Sequence, residues 1–257
     1  MFLKLYKYNF KCTIYKLLPF LITLPILGLV IRFLNEPLMG SDVQIYNIFI
    51  VLLNVFFILL MFGLIIYSAI ITIIYYAKSL FKDQGYLMHT LPVTKHQLIL
   101  SNLLNYFTII VLSYLVILVS VCCAYAGETV IKTIYEGFIY LFDAVIESGE
   151  VINVTILCTE LFFLSIISSI SSVLLIFLGI ALGHIHSKNK NIMSVIYCIS
   201  LAYGSSIFQS TFNLTTMINL ASQTKLYLLY MMLEYLIIAS VSYFLLTFVM
   251  KKKLNLE

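Results

Sequence analysis

The chain has 257 residues, 62% of them hydrophobic and 10% charged, with a formal net charge of +4 at pH 7. Soluble domains carry about a quarter charged residues, so this balance excludes an ordinary soluble domain and implies an all-α polytopic membrane protein. The five cysteines suggest no disulfide framework. Cys12, Cys158 and Cys198 lie in or beside apolar segments and Cys122 adjoins Cys123, the usual placing of small buried hydrophobes.

The chain opens on MFLKLYKYNFKCTIYK, residues 1–16. Lys4, Lys7 and Lys11 recur at helical spacing on one stripe, and Met1, Phe2, Leu5, Tyr6, Phe10 and Ile14 cover much of the rest. That pattern predicts an amphipathic interfacial helix lying along a membrane surface. Six transmembrane helices are predicted after it, at about 17–34, 46–77, 98–126, 151–182, 191–209 and 227–250, against the ~20 apolar residues that a hydrocarbon core needs. The first carries no small-x-small cleavage pattern and is read as a retained span. Pro19 and Pro25 predict a bend or a delayed start within it. Tyr46, Tyr75, Tyr76, Tyr125 and Tyr227 stand where spans should meet the headgroups, as an interfacial aromatic belt would. Residues 1–257 are expected to form a single transmembrane domain.

The connection between spans 2 and 3 is not a plain loop. Asp83-Gln84-Gly85 can break a helix at the glycine, and Tyr86 to Leu91 is a mostly apolar insert. Pro92 forces Leu91 out of helical geometry. Thr94 then offers an N-cap with Gln97 three residues on, the capping-box spacing. The segment therefore reads as helix end, short amphipathic element, sharp turn and new helix, a design suited to docking a cytoplasmic partner.

Charge sets the expected orientation. The N-terminal segment, the 2–3 connection, the 4–5 connection and the C-terminus hold twelve of the fifteen basic residues. Arg32, Lys132 and Lys225 are the rest. The positive-inside rule then places both termini in the cytoplasm. The opposite side is acidic, with Glu36, Asp42, Glu128, Glu136, Asp143, Glu147 and Glu150. Its longest segment, 127–150, spaces apolar residues at helical intervals and predicts an outer amphipathic helix or a hairpin of two short ones.

Motifs for chemistry are sparse, and no catalytic or metal-ligating residue is assigned. The sequence contains no H-E-x-x-H, no G-x-S-x-G and no G-x-x-x-x-G-K-[ST], so no ATPase activity of its own is expected. His184 and His186 lack an accompanying Cys or carboxylate and read as a solvated, weakly basic turn. Glu160 and Glu234 fall within apolar segments, where a charge costs at least about 2.5 kcal/mol at mid-bilayer. They read either as the lining of a substrate path or proton-linked site, or as shallow groups reaching the outer interface or pairing with Lys225 or Lys132. The run Ser165–Ser172 reads as a close-packing surface of the fourth span.

Phe81 to Leu104, FKDQGYLMHTLPVTKHQLILSNLL, resembles the first cytoplasmic loop of the type-2 (ABC-2) exporter permeases of ABC transporters from low-GC Gram-positive bacteria. Those loops have the form D-x-G-Y-L-x-x-T-L-P-V-[ST]-x-x-Q-L-x-x-S-K-L. The opening MFLKLYKYNFK resembles their K-Y-[DE]-[FL]-K starts, with Asn9 in place of the usual acid and Asn102 where lysine is common. The specific motif covers about 24 residues, and the layout of spans covers the whole chain. The resemblance implies a bacterial plasma-membrane permease subunit that pairs with a second permease, identical or not. It also implies a dimer of ATP-binding cassette subunits that binds ATP and Mg, so that this chain needs no cofactor. The lipid bilayer is the other expected partner, and nucleic acid is not one. Asp83, Gly85, Tyr86, Leu87, Thr90, Leu91, Pro92 and Gln97 are implied to form the coupling helix that seats in the ATPase. Two other classes fit the same composition: an intramembrane enzyme using Glu160, Glu234 or the histidine pair, and a non-transporting membrane scaffold or sensor accessory. Peptide, lipid-like molecule, drug and sodium ion all remain compatible as cargo.

Overall fold

A computed structural model describes residues 2–35, 44–81, 93–125, 136–137, 139, 154–186, 189–220 and 224–252. Six long helices account for almost all of them: α1 (Phe2–Asn35), α2 (Gln44–Phe81), α3 (Lys95–Tyr125), α4 (Val154–Gly183), α5 (Lys190–Leu220) and α6 (Thr224–Lys252). Each contains a stretch long and apolar enough to cross a membrane, and the chain is a multi-pass transmembrane protein. The expected outer amphipathic segment at 127–150 lies almost wholly outside the described residues.

Two boundaries differ from the sequence reading. Residues 2–16 are not a separate element, because α1 runs unbroken from Phe2 through Pro19 and Pro25 to Asn35. Proline is tolerated in membrane helices because neighbouring groups can re-satisfy the backbone it frees. α5 continues past the predicted limit at 209 to Leu220. Hydropathy marks only the part of a helix suited to lipid, and the polar stretch Asn213–Asn219 carries no residue that stops a helix.

The helices pack as two compact units, Met1–Tyr75 with Leu104–Asp143, and Tyr76–Leu103 with Ala144–Glu257. In the first, the core is built on a seven-residue repeat. Leu17, Leu24 and Ile31 of α1 and Phe57, Leu64 and Ile71 of α2 are buried together with Ile109 and Ala124 of α3. A period of seven keeps one seam of a helix against its neighbour over many turns. Side-chain hydrogen bonds join each pair of these helices. Thr13 Oγ1 donates to Asn105 Oδ1 at 3.1 Å, Tyr75 Oη donates to Asn9 Oδ1 at 2.9 Å, and Tyr125 Oη donates to Asn54 Oδ1 at 2.6 Å. Such bonds contribute on average ~0.6 kcal/mol each within a bilayer. Two of the tyrosines expected in a headgroup belt, Tyr75 and Tyr125, are thus bonded to a neighbouring helix, Tyr75 buried and Tyr125 half-buried, because a phenol beside an asparagine oxygen gains a partner there.

In the second unit α4 packs against both α5 and α6, and more extensively against α6. The contact with α5 is made close by Gly179 and Gly183. A Cβ at Gly179 would collide with the backbone of Cys198, and one at Gly183 with that of Ser194. These two glycines form a G-x-x-x-G spacing, which lets membrane helices approach nearly backbone to backbone. The expected serine-rich packing surface is mostly elsewhere in its bonding: Ser165, Ser168, Ser169 and Ser172 each donate to a carbonyl three residues back in their own helix. Asn189 enters α5 with φ of 55°, a left-handed conformation that asparagine adopts more readily than most residues.

Candidate functional site

The candidate site is the pair of helix ends that bracket residues 82–92. Asp83, Gly85, Tyr86, Leu87, Thr90, Leu91 and Pro92 themselves lie outside the described residues. Gln97, the remaining expected coupling residue, is described, and it closes the capping box. The Thr94 N–H donates to Gln97 Oε1 at 3.3 Å and the Gln97 N–H donates to Thr94 Oγ1 at 3.4 Å. The two residues satisfy one another's otherwise orphaned donors at the start of α3.

Both brackets are anchored within the second unit. On the α2 side, Tyr76 is fully buried and its ring stacks on Phe177 of α4, with centroids 3.7 Å apart and planes 5° from parallel. One turn on, Phe81 stacks on His184 at 4.8 Å. His184 is only 6% exposed, and its Nδ1 lies 2.9 Å from the Ile180 carbonyl oxygen. This corrects the reading of the histidine pair as a solvated turn: an imidazole covered by an aromatic ring and facing a helix carbonyl is a packing residue. His186 packs its ring against Tyr197 at 5.7 Å.

On the α3 side, Lys95 Nζ donates to the Met250 carbonyl oxygen, which places a cation on the C-terminal turns of α6, where helix dipole and unpaired carbonyls favour it. His96 Nδ1 and Tyr243 Oη of α6 share a hydrogen bond of 2.8 Å. Leu98 and Ile99 are buried behind them. A segment entering through Phe81 and leaving through His96 is thereby tied at one end to α4 and at the other to α6. Sequence reading singled out the loop and missed its anchors. The available signal was a ring or imidazole at the ends of α2, α3 and α4, at Phe81, His96 and His184.

The other expected residues fall as follows. Lys4, Lys7 and Lys11 all point outward from α1, and Lys11 Nζ sits 5.9 Å over the Tyr15 ring. The innermost line of the same stretch joins Leu5, one of the apolar residues named above, to two polar ones, Asn9 and Thr13, all buried. Asn9 and Thr13 are drawn in by their bonds to Tyr75 and Asn105. Glu160 on α4 is half-buried. Glu234 on α6 is completely buried, and among the described residues neither of its carboxyl oxygens has a hydrogen-bond partner. No ion pair or hydrogen bond joins the two carboxylates among the described residues. No cluster of three or more His, Cys, Asp or Glu residues suited to a metal occurs among the described residues either. Compared with family models, curated proteins and solved structures, the chain matches none.

Proposed function

We propose that the chain is the membrane-spanning permease subunit of an ATP-driven exporter, coupled through residues 83–97 to a separate ATP-binding cassette subunit. The observation that carries the reading is the 81–104 sequence, whose D-x-G-Y-L-x-x-T-L-P-V-T core resembles the coupling loop of type-2 exporter permeases. The anchoring of both ends of that segment supports it. Phe81 on His184 and His96 with Tyr243 give a push on the loop a rigid route into α4 and α6, whereas a slack connector would absorb it. In this reading the subunit lies in a bacterial plasma membrane with both termini in the cytoplasm. It pairs with a second permease, and ATP and Mg are bound by the partner ATPase. The opening helix presents Lys4, Lys7 and Lys11 to the cytoplasmic headgroups.

The test is the double substitution Tyr86→Ala with Leu87→Ala in the chain co-expressed with its ATP-binding subunit. Aromatic and aliphatic anchors concentrate binding energy at interfaces, so co-purification should fall about tenfold or more, or hydrolysis should continue without transport. Insertion should be preserved, since neither residue lies in a span. Wild-type association together with wild-type transport would refute the coupling role.

A further inference from the structure

Glu234 is a buried carboxyl group that the coupling reading leaves unused. It lies in the sixth span, Leu228–Lys251, with no exposed surface and no hydrogen-bond partner for either oxygen among the described residues. Its level in the fold follows from a groove further along the helix, which Leu175 and Leu178 of α4 line together with Ile238 and Val241 of α6. Ser171 and Glu234 each stand four residues before the first of these pairs and seven before the second, so each continues its helix's stripe by one turn beyond the groove. The fourth and sixth spans run in the same direction, and the two residues therefore meet at one level of the α4–α6 seam. Both are buried.

No positive charge stands at that level among the described residues. The cations on the elements packed against α6 gather at the other end of the seam. Lys95 of α3 donates to the Met250 carbonyl, and His96 bonds to Tyr243. His184 and His186 follow the last turn of α4, and Lys190 opens α5. On α6 itself, Lys225 precedes Glu234 by nine residues and Lys251 follows it by seventeen, about 14 Å and 26 Å along the axis. Glu160 of α4 lies about 16 Å from the level of Ser171 and is itself an acid. The remaining titratable groups are phenols and thiols, among them Tyr197, Cys198 and Tyr203 on α5 and Tyr230 and Tyr235 on α6, which carry no positive charge in either protonation state. Nor do the neighbours of Ser171 supply donors, since Ser168, Ser169 and Ser172 give their hydroxyl hydrogens to carbonyls of their own helix.

We propose that Glu234 is a proton-binding site: the carboxyl group is carried as the neutral acid, and the α4–α6 seam closes on that form. An ionised carboxylate in a span without a counter-charge is costly. A dissolved cation finds no surface of Glu234 to reach, whereas a proton adds no volume and needs only a transient local opening to enter. Its loss would leave an unpaired charge between α4 and α6, so release of the proton is coupled to separation of the two helices. The inference stands whether or not the chain is a transport subunit.

The test is infrared spectroscopy of the full chain, purified alone in dodecyl maltoside, a detergent with no carbonyl group. At neutral pH the spectrum should contain the C=O stretch of a protonated carboxylic acid, moved to lower frequency in heavy water. Glu234→Gln should lose that band without loss from the ionised-carboxylate bands, and Glu160→Gln should keep it. Glu234→Met, apolar and of similar length, should keep or raise the thermal aggregation temperature, because a neutral acid leaves no charged partner behind when it is removed. No acid band in the wild type would overturn the proposal, and so would its disappearance in Glu160→Gln, which would move the proton to that residue. Loss from the ionised-carboxylate bands in Glu234→Gln, or a large fall in aggregation temperature in Glu234→Met, would mean that an ion pair had been broken and would overturn it too. Should Glu234→Gln fail to insert, the wild-type and Glu160→Gln spectra still decide. None of these failures touches the loop experiment, which reads ATPase association.

Discussion

Tyr125 shows what one polar atom contributes to the first unit. Its hydroxyl donates to Asn54 Oδ1 at 2.6 Å, while the Asn54 amide donates to the Ile50 carbonyl at 3.0 Å, so the asparagine is held by its own helix and offers its oxygen to the next. Tyr125→Phe keeps the ring and removes only the hydroxyl. It should lower the unfolding free energy by roughly 0.6 kcal/mol, the measured average for interhelical bonds in a bilayer, and by no more than about 1.7 kcal/mol, the measured maximum. Denaturant titration in mixed micelles would read this, and undiminished stability would mean that Asn54 finds an equal partner elsewhere. Residues like these were hidden in the sequence, since Asn9, Thr13 and Asn54 look like polar blemishes on apolar helices. Only the location of Tyr75, Asn105 and Tyr125 shows that each blemish has a counterpart. His184 was misread for the same reason. Phe81 covers it from another helix, and nothing within a few residues of His184 announces that.

At the scale of elements, legibility followed hydropathy. All six helices were readable as apolar runs, and the start of α3 was fixed by Thr94 and Gln97, whose reciprocal bonds are local in sequence. What could not be read were limits set by something other than lipid. The opening residues belong to α1 itself, and Asn9 and Thr13 there find partners on α2 and α3. α5 extends to Leu220 although only Lys190–Thr211 is apolar enough to span. The G-x-x-x-G spacing on α4 was legible in principle and was overlooked beside the more conspicuous serine run. It yields a sharp prediction. Gly183→Val would drive a branched side chain into the Ser194 backbone, where only separation of α4 from α5 can relieve the clash. The substitution should cost more than about 2 kcal/mol, in the range of severe overpacking. Purified yield and thermal aggregation temperature should both fall, whereas Gly204→Val, at a position with no atom near the added Cβ, should leave them near wild type. Similar behaviour of the two variants would dismiss the close contact.

For the molecule as a whole, the proposed orientation rests on the distribution of lysine. Lys4, Lys7, Lys11 and Lys16 stand at one end and Lys251, Lys252 and Lys253 at the other, and the positive-inside rule predicts that, with an even number of spans, both ends are cytoplasmic. A membrane-impermeant thiol reagent applied to intact cells should label a cysteine placed at Ser148 and should not label one placed at Ser187, each in a background lacking the native cysteines. Labelling at Ser187 alone would invert the topology and remove residues 83–97 from reach of any cytoplasmic ATPase. The seven-residue seam of the first unit carries a further consequence for the assembled chain. A repeat is ambiguous: slide α2 along α1 by one period, about 10 Å, and leucine still meets leucine. The apolar rungs cannot count. The pairs Asn9 with Tyr75, Thr13 with Asn105, and Asn54 with Tyr125 can, because each occurs once and a shifted helix would leave its polar atoms in hydrocarbon. A single polar position is known to fix register in repeating helical seams in this way. These three bonds, individually among the weakest contributions to stability, act as the address labels of an otherwise interchangeable ladder.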